Sequence, residues 1–167
     1  VITELGARFQ MSARWGRDFD LATLRREYDA VFIAIGAQLS NGLGCAGEER
    51  ALSGLEFLGR VAEGEPPAIG ARTVVMGGGN TAIDAARTAR RLGSEVRVLY
   101  RRTRREMPCL LDEVDEAEKE GVGLEFLVAP VAVKESGNQL AVVCQRTALA
   151  AADASGRRSA VAVPDSE

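Results

Sequence analysis

Histidine is absent from this chain of 167 residues. Imidazole is the commonest general base and the commonest metal ligand in proteins, and it completes most serine and cysteine triads. The absence excludes those catalytic and metal-binding arrangements. We therefore predict neither a catalytic acid–base residue nor a metal site in this chain.

Cysteine is scarce, with three residues at positions 45, 109 and 144. Their number is odd, their spacing is wide, and no C-x-x-C pair occurs. A thiol–disulfide redox centre, a zinc site and a cysteine-ligated iron–sulfur cluster are therefore disfavoured. Buried or bystander thiols in a reducing compartment explain the pattern better, which predicts a cytoplasmic location.

No apolar run reaches the length of a membrane span, and the first residues lack the pattern of a signal peptide. The net charge of −3 provides no global basic field that would attract nucleic acid or an anionic membrane. An arginine cluster at residues 97–105 is local, and Tyr100 is the aromatic residue within it. We predict no nucleic-acid partner and no membrane association.

The most informative stretch begins with a short apolar strand, Arg72 to Met76, whose β-branched residues predict a parallel strand buried on both faces. Gly77 to Ala82 follows with the spacing G-x-G-x-x-A. In a dinucleotide-binding turn the first glycine permits the tight bend, the second lets the backbone approach a pyrophosphate, and the third position must be small. The alternative is a glycine turn with a purely structural role.

A helix is predicted from Asn80 to Leu92, because its apolar residues fall at helical spacing and Gly93 is suited to end it. Its N-terminus follows the glycine turn directly. Free N–H groups and the positive end of the helix dipole favour a phosphate at that position. The spacing therefore favours dinucleotide binding.

A second strand is predicted from Glu95 to Tyr100, and its far end is where such folds discriminate the adenosine ribose. That end carries Arg101 and Arg102, with Arg105 close behind, and no carboxylate. Guanidinium groups suit a ribose 2′-phosphate, whereas a carboxylate would accept from a free hydroxyl. This pair, Arg101 and Arg102, is called the arginine tip, and it predicts NADP(H) rather than NAD(H). The alternative is that these arginines simply lie on a solvated surface, as runs of charged residues often do.

The rest of the chain predicts further elements around this unit. Ala30 to Ile35 reads as a buried strand of a different sheet, and residues 38–70 read as a glycine- and proline-rich crossover with a short helix at Leu55 to Ala62. An acidic amphipathic helix follows Pro108 and ends at Gly121. From Leu124 onward the pattern predicts a small antiparallel meander. The predicted fold class is α/β with a mainly parallel sheet.

Several of these pieces together resemble a known family. They are YDAVFIAIGA at Tyr28 to Ala37, VVMGGGNTAIDAARTARRLG at Val74 to Gly93, YRRTRREMP at Tyr100 to Pro108, the acidic helix, and DASGRR at Asp153 to Arg158. In this order they resemble the pyridine-nucleotide half of the FAD-dependent oxidoreductases typified by the small, NADPH-oxidising subunit of glutamate synthase. Dihydropyrimidine dehydrogenase carries a similar region.

The resemblance implies a Rossmann-like FAD/NAD(P)-binding fold in which an NADPH domain is inserted into an FAD domain. Residues 1–37 would be the tail of an FAD-domain segment, 38–70 a linker, 71–163 the NADP(H)-binding domain and 164–167 the start of the return. The partners would be the rest of the FAD domain and an electron-accepting subunit or domain. The predicted cofactor-binding residues are Gly77, Gly78, Gly79, Asn80, Thr81, Arg101, Arg102 and Arg105.

The family's chemistry is hydride transfer from NADPH to FAD, which the cofactors carry, so no catalytic side chain is required here. The chain resembles an excised part of such an enzyme and is expected to be inactive alone. Within the predicted site, whether Arg105 contacts the phosphate stays open. The alternative function is a nucleotide-sensing or docking module without redox chemistry.

Overall fold

The structure, a computed structural model, describes residues 2–36 and 39–167. The chain divides into two units, residues 1–38 and 39–167. The predicted boundary between residues 1–37 and 38–70 falls at Ala37 and Gln38, which lie outside the described residues. The domain assignment therefore stays a prediction.

The first unit contains the helix α1 (Leu21–Glu27), whose N-terminus is capped by the Asp20 carboxylate accepting from the Thr23 N–H at 2.7 Å. The predicted strand at Ala30 to Ile35 is wrong, since the described part of this unit has no strand there. Phe32 is 92% exposed and Ile35 is 69% exposed. An apolar, β-branched run forms a strand only beside another strand, and residues 2–36 as described contain no strand.

The second unit is built on a parallel sheet of three strands, β1 (Arg72–Met76), β2 (Glu95–Tyr100) and β3 (Gly123–Phe126), in the order β1-β2-β3. The helix α3 (Asn80–Arg91) connects β1 to β2, and α4 (Leu111–Lys119) connects β2 to β3. The helix α2 (Gly54–Ala62) precedes β1 and begins at Ser53, whose hydroxyl accepts from the Glu56 N–H. The predicted strand–helix–strand order is confirmed.

One face of the sheet is covered by the helices. Val96, Val98 and Tyr100 alternate along β2 and are all buried, so they share this face. Three helices pack against them. α2 contributes Phe57, α3 contributes Ile83, Ala86 and Ala89, and α4 contributes Val114 and Ala117. Alanine at the sheet-facing positions of α3 allows the helix to lie close to the strands. The Leu55 to Ala62 segment of the predicted linker is thus part of this core.

The opposite face of the sheet is more open than expected. Val74 is 42% exposed, so the prediction that β1 is buried on both faces is wrong. On the same face, Arg97 of β2 lies 3.7 Å from the Glu125 carboxylate of β3, and Arg146 approaches that carboxylate at 3.2 Å. Charged pairs occupy the surface that a second helix layer would cover in a doubly wound fold.

The antiparallel meander consists of β4 (Val128–Ser136), β5 (Gln139–Ala152) and β6 (Arg158–Ala162), in the order β4-β5-β6. The prediction that it begins at Leu124 is wrong, because Leu124 belongs to β3 and pairs with Val98 in the parallel sheet. Leu127, with φ 58°, bends the chain between β3 and β4. Apolar residues continue from β3 through Leu127 into β4, so the sequence pattern could not reveal this change of sheet.

Helices α3 and α4 are joined by a charge cluster centred on Glu120. Its Oε1 accepts from Arg87 at 2.7 Å and from Arg91 at 2.6 Å, and the Arg90 Nε–H donates to its backbone carbonyl at 3.0 Å. The hydrogen bonds from Arg87 and Arg91 lower the pKa of Glu120 from its usual 4.5 to about 2. This clamp positions α3, and with it the glycine turn that precedes the helix.

Replacing Glu120 with glutamine is expected to lower the free energy of unfolding near neutral pH. Because the folded-state pKa is depressed, the carboxylate stabilises the fold fully above pH 4.5, and this contribution disappears as the pH falls to about 2. Urea unfolding followed by circular dichroism across this range measures it. Glu65→Gln, at an exposed position in the loop after α2, is the control. A stability difference that does not vary with pH would contradict the prediction.

Candidate functional site

The predicted site residues follow the ends of two neighbouring parallel strands. Met76 of β1 is in register with Leu99 of β2, so the turn Gly77–Gly79 and the pair Arg101–Arg102 emerge at the same edge of the sheet. The Gly77 N–H donates to the Leu99 carbonyl at 3.1 Å, which holds the turn against the end of β2. In open parallel sheets this carboxyl edge is where ligands bind.

The three glycines of the turn differ in what an added side chain would meet. Gly77 has φ 136°, a conformation that residues with a side chain rarely adopt. A Cβ on Gly77 would lie 3.3 Å from the Ala82 methyl group. A Cβ on Gly78 would lie 2.6 Å from the ring of Tyr100. A Cβ on Gly79 would meet nothing within 4 Å. Gly79 therefore presents open backbone to whatever binds above the turn.

Gly79 occupies the N-cap position of α3, and no side chain among the described residues caps this N-terminus. The Gly79 carbonyl accepts from the N–H groups of Ala82 and Ile83 at 3.0 and 3.2 Å. The N–H groups of the first turn point toward the open side of the glycine turn, together with the positive end of the helix dipole. This arrangement can accept an anion.

Asn80 and Thr81 both lie at the start of α3 and both are exposed. The Asn80 Oδ1 accepts from the Leu110 N–H at 3.1 Å, which ties α3 to the residue that begins α4. The side-chain nitrogen of Asn80 is left as the group that can donate to a ligand. The Thr81 methyl group faces Gly54 of α2. Sequence reasoning did not identify the tie to Leu110, because the two residues are thirty positions apart.

An arginine-lined cavity adjoins the end of β2. It has a volume of about 240 Å³, and its lining residues are Arg101, Arg102, Asp153, Arg157, Arg158, Ser159 and Ala160. The Arg102 guanidinium lies 5.6 Å from the centre of the Tyr100 ring, within the range of a cation–π contact. The buried Arg102 Nε has no hydrogen-bond partner among the described residues. A buried donor without an acceptor indicates a place where a ligand oxygen or water fits.

The backbone of the arginine tip is held by the meander. The Thr147 hydroxyl of β5 donates to the Arg101 carbonyl at 2.7 Å, and the Leu127 N–H donates to the Arg102 carbonyl at 3.2 Å. Thr147 is buried, so its hydroxyl needs this acceptor. The parallel sheet and the meander therefore meet at the arginine tip.

The remaining arginines of the predicted cluster lie elsewhere. Arg104 pairs with Asp115 of α4 and lies 2.6 Å from Glu118, so its charge is already used in the fold. Arg105 is exposed and does not line the cavity. Its predicted phosphate contact stays a prediction. Arg157 and Arg158, which do line the cavity, were missed as site residues, because they are distant in sequence from the glycine turn.

A second stretch, Gly42 to Gly47, has the spacing G-x-G-x-x-G but a different structure. No strand precedes it within residues 2–36 and 39–41, and it leads into a 3₁₀ turn at Glu48–Arg50 rather than a long helix. The Glu48 carboxylate accepts from the Gly44 N–H at 2.7 Å, so an internal anion already occupies this glycine turn. The glycine turn Gly77–Gly79, which precedes α3, is therefore the better candidate for binding a phosphate.

Within residues 2–36 and 39–167 no group of three potential ligands could hold a metal ion, and the cysteines at positions 45, 109 and 144 are unpaired. Across the same residues no helix is long and apolar enough to cross a membrane.

Comparison with known proteins places these features in a wider group. The sequence profile of the pyridine nucleotide-disulphide oxidoreductases matches residues 12–155. The chain is 43% identical over its whole length to the beta subunit of the NADPH-Fe(3+) oxidoreductase of Geobacter sulfurreducens, of which it covers 26%. It is 36% identical to the small chain of the NADPH-dependent glutamate synthase of Escherichia coli, of which it covers 39%. The chain thus spans between a quarter and two fifths of these relatives.

Among solved structures, the chain resembles the oxidoreductase FprA of Mycobacterium tuberculosis, which has been determined in complex with NADPH. The TM-score is 0.74 at 22% sequence identity, covering 92% of this chain and 50% of that protein. At this identity the likeness establishes a shared fold.

Proposed function

The chain belongs to the pyridine nucleotide-disulphide oxidoreductase family, and on that premise we propose that it is the NADPH-binding portion of a flavin-dependent oxidoreductase of the glutamate synthase small-chain type. In the complete enzyme, bound NADPH would supply a hydride to FAD. The observation that carries this assignment is the arginine-lined cavity at the end of β2, beside the glycine turn.

The described residues fit NADPH at two separate places. Gly79 leaves open space above an uncapped helix N-terminus, as a pyrophosphate requires. Arg102, with its unpartnered Nε, and Arg101 line a cavity that suits a 2′-phosphate. Asn80 has a free side-chain nitrogen beside the first of these places. The two places adjoin neighbouring strand ends, as the two phosphate groups of one nucleotide demand.

This chain's own contribution would be binding and orientation. The glycine turn and the start of α3 would hold the pyrophosphate, while the arginine tip would hold the adenosine end. No described residue is needed as an acid or a base, since hydride transfer between two cofactors uses neither. FAD is assigned to other parts of the parent enzyme, which would also provide the electron-accepting partner.

Nucleotide binding tests the proposal directly. The 167-residue chain is expected to bind NADPH at least about tenfold more tightly than NADH, because each charge-assisted hydrogen bond to the 2′-phosphate contributes about 1.5–3 kcal/mol. Titration calorimetry with both nucleotides measures the ratio. Equal affinity for the two, or binding of neither, would overturn the assignment of NADPH to this site.

A second expectation concerns the flavin. The chain by itself is expected to carry no stoichiometric FAD and to show negligible NADPH-dependent dye reduction. The reason is that, among the described residues, only the turn Gly77–Gly79 lies between a strand and a long helix, and we assign this turn to NADPH. The visible spectrum of the purified chain and a dye-reduction assay test this. A yellow bound chromophore, or turnover of the dye, would show that the chain holds the flavin as well.

A further inference from the structure

Two of the four arginines in the cavity come from the meander rather than from the parallel sheet. Arg157 and Arg158 lie at the turn that joins β5 to β6, and Arg158 is the first residue of β6. They line the same cavity as Arg101 and Arg102. The part of the lining that the meander contributes is therefore basic too, although more than fifty residues of sequence separate the two arginine pairs.

One carboxylate, that of Asp153, holds the turn that carries these arginines through three hydrogen bonds. The Asp153 Oδ1 accepts from the N–H groups of Ser155 and Arg157 at 2.9 and 3.0 Å and from the Ser155 hydroxyl at 2.6 Å. The Ser155 hydroxyl is the main reason that the pKa of Asp153 is lowered. The Asp153 carboxylate is thus hydrogen-bonded within the turn, and these bonds hold the backbone that carries Arg157 and Arg158.

Arg158 is also oriented individually. Its Nε–H donates to the Ala150 carbonyl at 3.1 Å, across a bulge in the pairing of β5 and β6. This bond leaves its two terminal nitrogens available. The ion pairs of the described residues involve other arginines, so none of the four cavity guanidiniums is neutralised by a salt bridge.

Glu106 lies near enough to Arg158 for that arginine to contribute to the lowering of its pKa, although the Thr103 hydroxyl contributes more. The Glu106 carboxylate also accepts from the Thr103 N–H at 3.2 Å, so it is engaged in its own turn. The cavity lining therefore carries four guanidiniums and one carboxylate, Asp153, while Glu106 lies outside the lining, so the net charge of the lining is positive. This excess of unpaired positive charge fits a doubly charged phosphomonoester better than a single carboxylate.

We propose that Arg158, with Arg157 beside it, forms the second wall of the 2′-phosphate site and is a specificity-determining residue for NADPH. The inference rests on the proposed function and deepens it. Nucleotide preference would then be set jointly by the end of β2 and by the β5–β6 turn. Hydrogen bonds from the Thr147 hydroxyl of β5 and from the Leu127 N–H to the carbonyls of Arg101 and Arg102 join the end of β2 to β5 and to the bend before β4.

The experiment compares Arg158→Ala with Arg60→Ala, an exposed arginine of α2 outside the cavity, in the 167-residue chain. We expect Arg158→Ala to weaken NADPH binding by about tenfold and leave NADH binding unchanged, because one charge-assisted contact is lost from the ribose phosphate alone. Arg60→Ala should change neither. Arg157→Ala, whose side chain has no anchoring hydrogen bond among the described residues, should show a smaller loss in the same direction.

The outcomes separate this inference from the proposed function. If Arg158→Ala prefers NADPH over NADH as strongly as the wild type does, the role of Arg158 is overturned and the proposed function stays intact. Equal losses for NADPH and NADH would assign Arg158 to the folding of the turn and would also overturn it. A wild-type chain without preference for NADPH would overturn the proposed function itself.

Discussion

Replacing Arg102 with alanine is expected to weaken NADPH binding by about tenfold to a hundredfold while NADH binding changes little, because a charge-assisted hydrogen bond contributes about 1.5–3 kcal/mol. Arg102 is the half-buried member of the tip, packed over the Tyr100 ring with its Nε unpartnered among the described residues. Its guanidinium is thus pre-oriented and partly desolvated. Such a donor loses little entropy on binding, which places the effect at the upper part of this range.

The measurement is titration calorimetry with both nucleotides, repeated at higher salt. Salt should narrow the preference of the wild type, because the cavity is open to solvent and its charges are screened. Arg60→Ala is the matched control, since it removes one exposed arginine outside the cavity. Equal losses for NADPH and NADH would mean that Arg102 supports the shared part of the site or the fold, and would contradict its role at the 2′-phosphate.

Replacing Gly79 with alanine is expected to abolish most binding of both nucleotides and leave the fold nearly unchanged. The backbone at Gly79, with φ −87° and ψ 171°, is open to any residue, and a Cβ there meets nothing within 4 Å. The added methyl group would instead occupy the space through which a pyrophosphate approaches the N–H groups of α3. Loss of one or two such bonds to a charged group corresponds to a decrease of at least about tenfold in affinity.

Gly78→Ala is the informative contrast. A Cβ at this position would lie 2.6 Å from the Tyr100 ring, which is itself buried and donates through its hydroxyl to the Glu106 carbonyl at 2.7 Å. Overpacking of this kind costs about 1–3 kcal/mol of folding stability. Displacing the ring would also move Arg102, which packs on it.

Thermal unfolding together with nucleotide titration distinguishes the two glycine variants. The free energy of unfolding of Gly79→Ala should lie within about 1 kcal/mol of the wild-type value, the difference expected between glycine and alanine at an N-cap. The same variant should bind both nucleotides at least about tenfold more weakly. Gly78→Ala should unfold at lower temperature. A Gly79→Ala variant that binds NADPH normally would refute the placement of the pyrophosphate at this turn.

The central unit from Arg72 to Tyr100 was predictable from sequence, because its signals are local. The apolar run of β1, the glycines, the alanine-rich face of α3 and the stop at Gly93 each act within a few residues. Gly93 has φ 97°, as the end of a helix requires. The cap of α1 by Asp20 is local in the same sense, since donor and acceptor are three residues apart.

Strand membership was less predictable, because it depends on partners that are distant in sequence. Ala30 to Ile35 has the composition of a buried strand, yet the described part of its unit offers no strand to pair with it. β3 is apolar at alternate positions, as a strand of the meander could also be, and only its register with β2 places it in the parallel sheet. A periodicity of two reports which faces are apolar and does not report the neighbouring strand.

The sequence alone determined that this chain carries a strand–glycine turn–helix–strand unit with an arginine tip, and this follows from short-range sterics and hydrophobic periodicity. The tertiary structure decided which arginines share a cavity. It brought Arg157 and Arg158 into one cavity with Arg101 and Arg102, left Arg105 outside and committed Arg104 to α4. These placements depend on long-range hydrogen bonds such as that from the Thr147 hydroxyl to the Arg101 carbonyl, across forty-six residues, and no local pattern encodes a contact of that range.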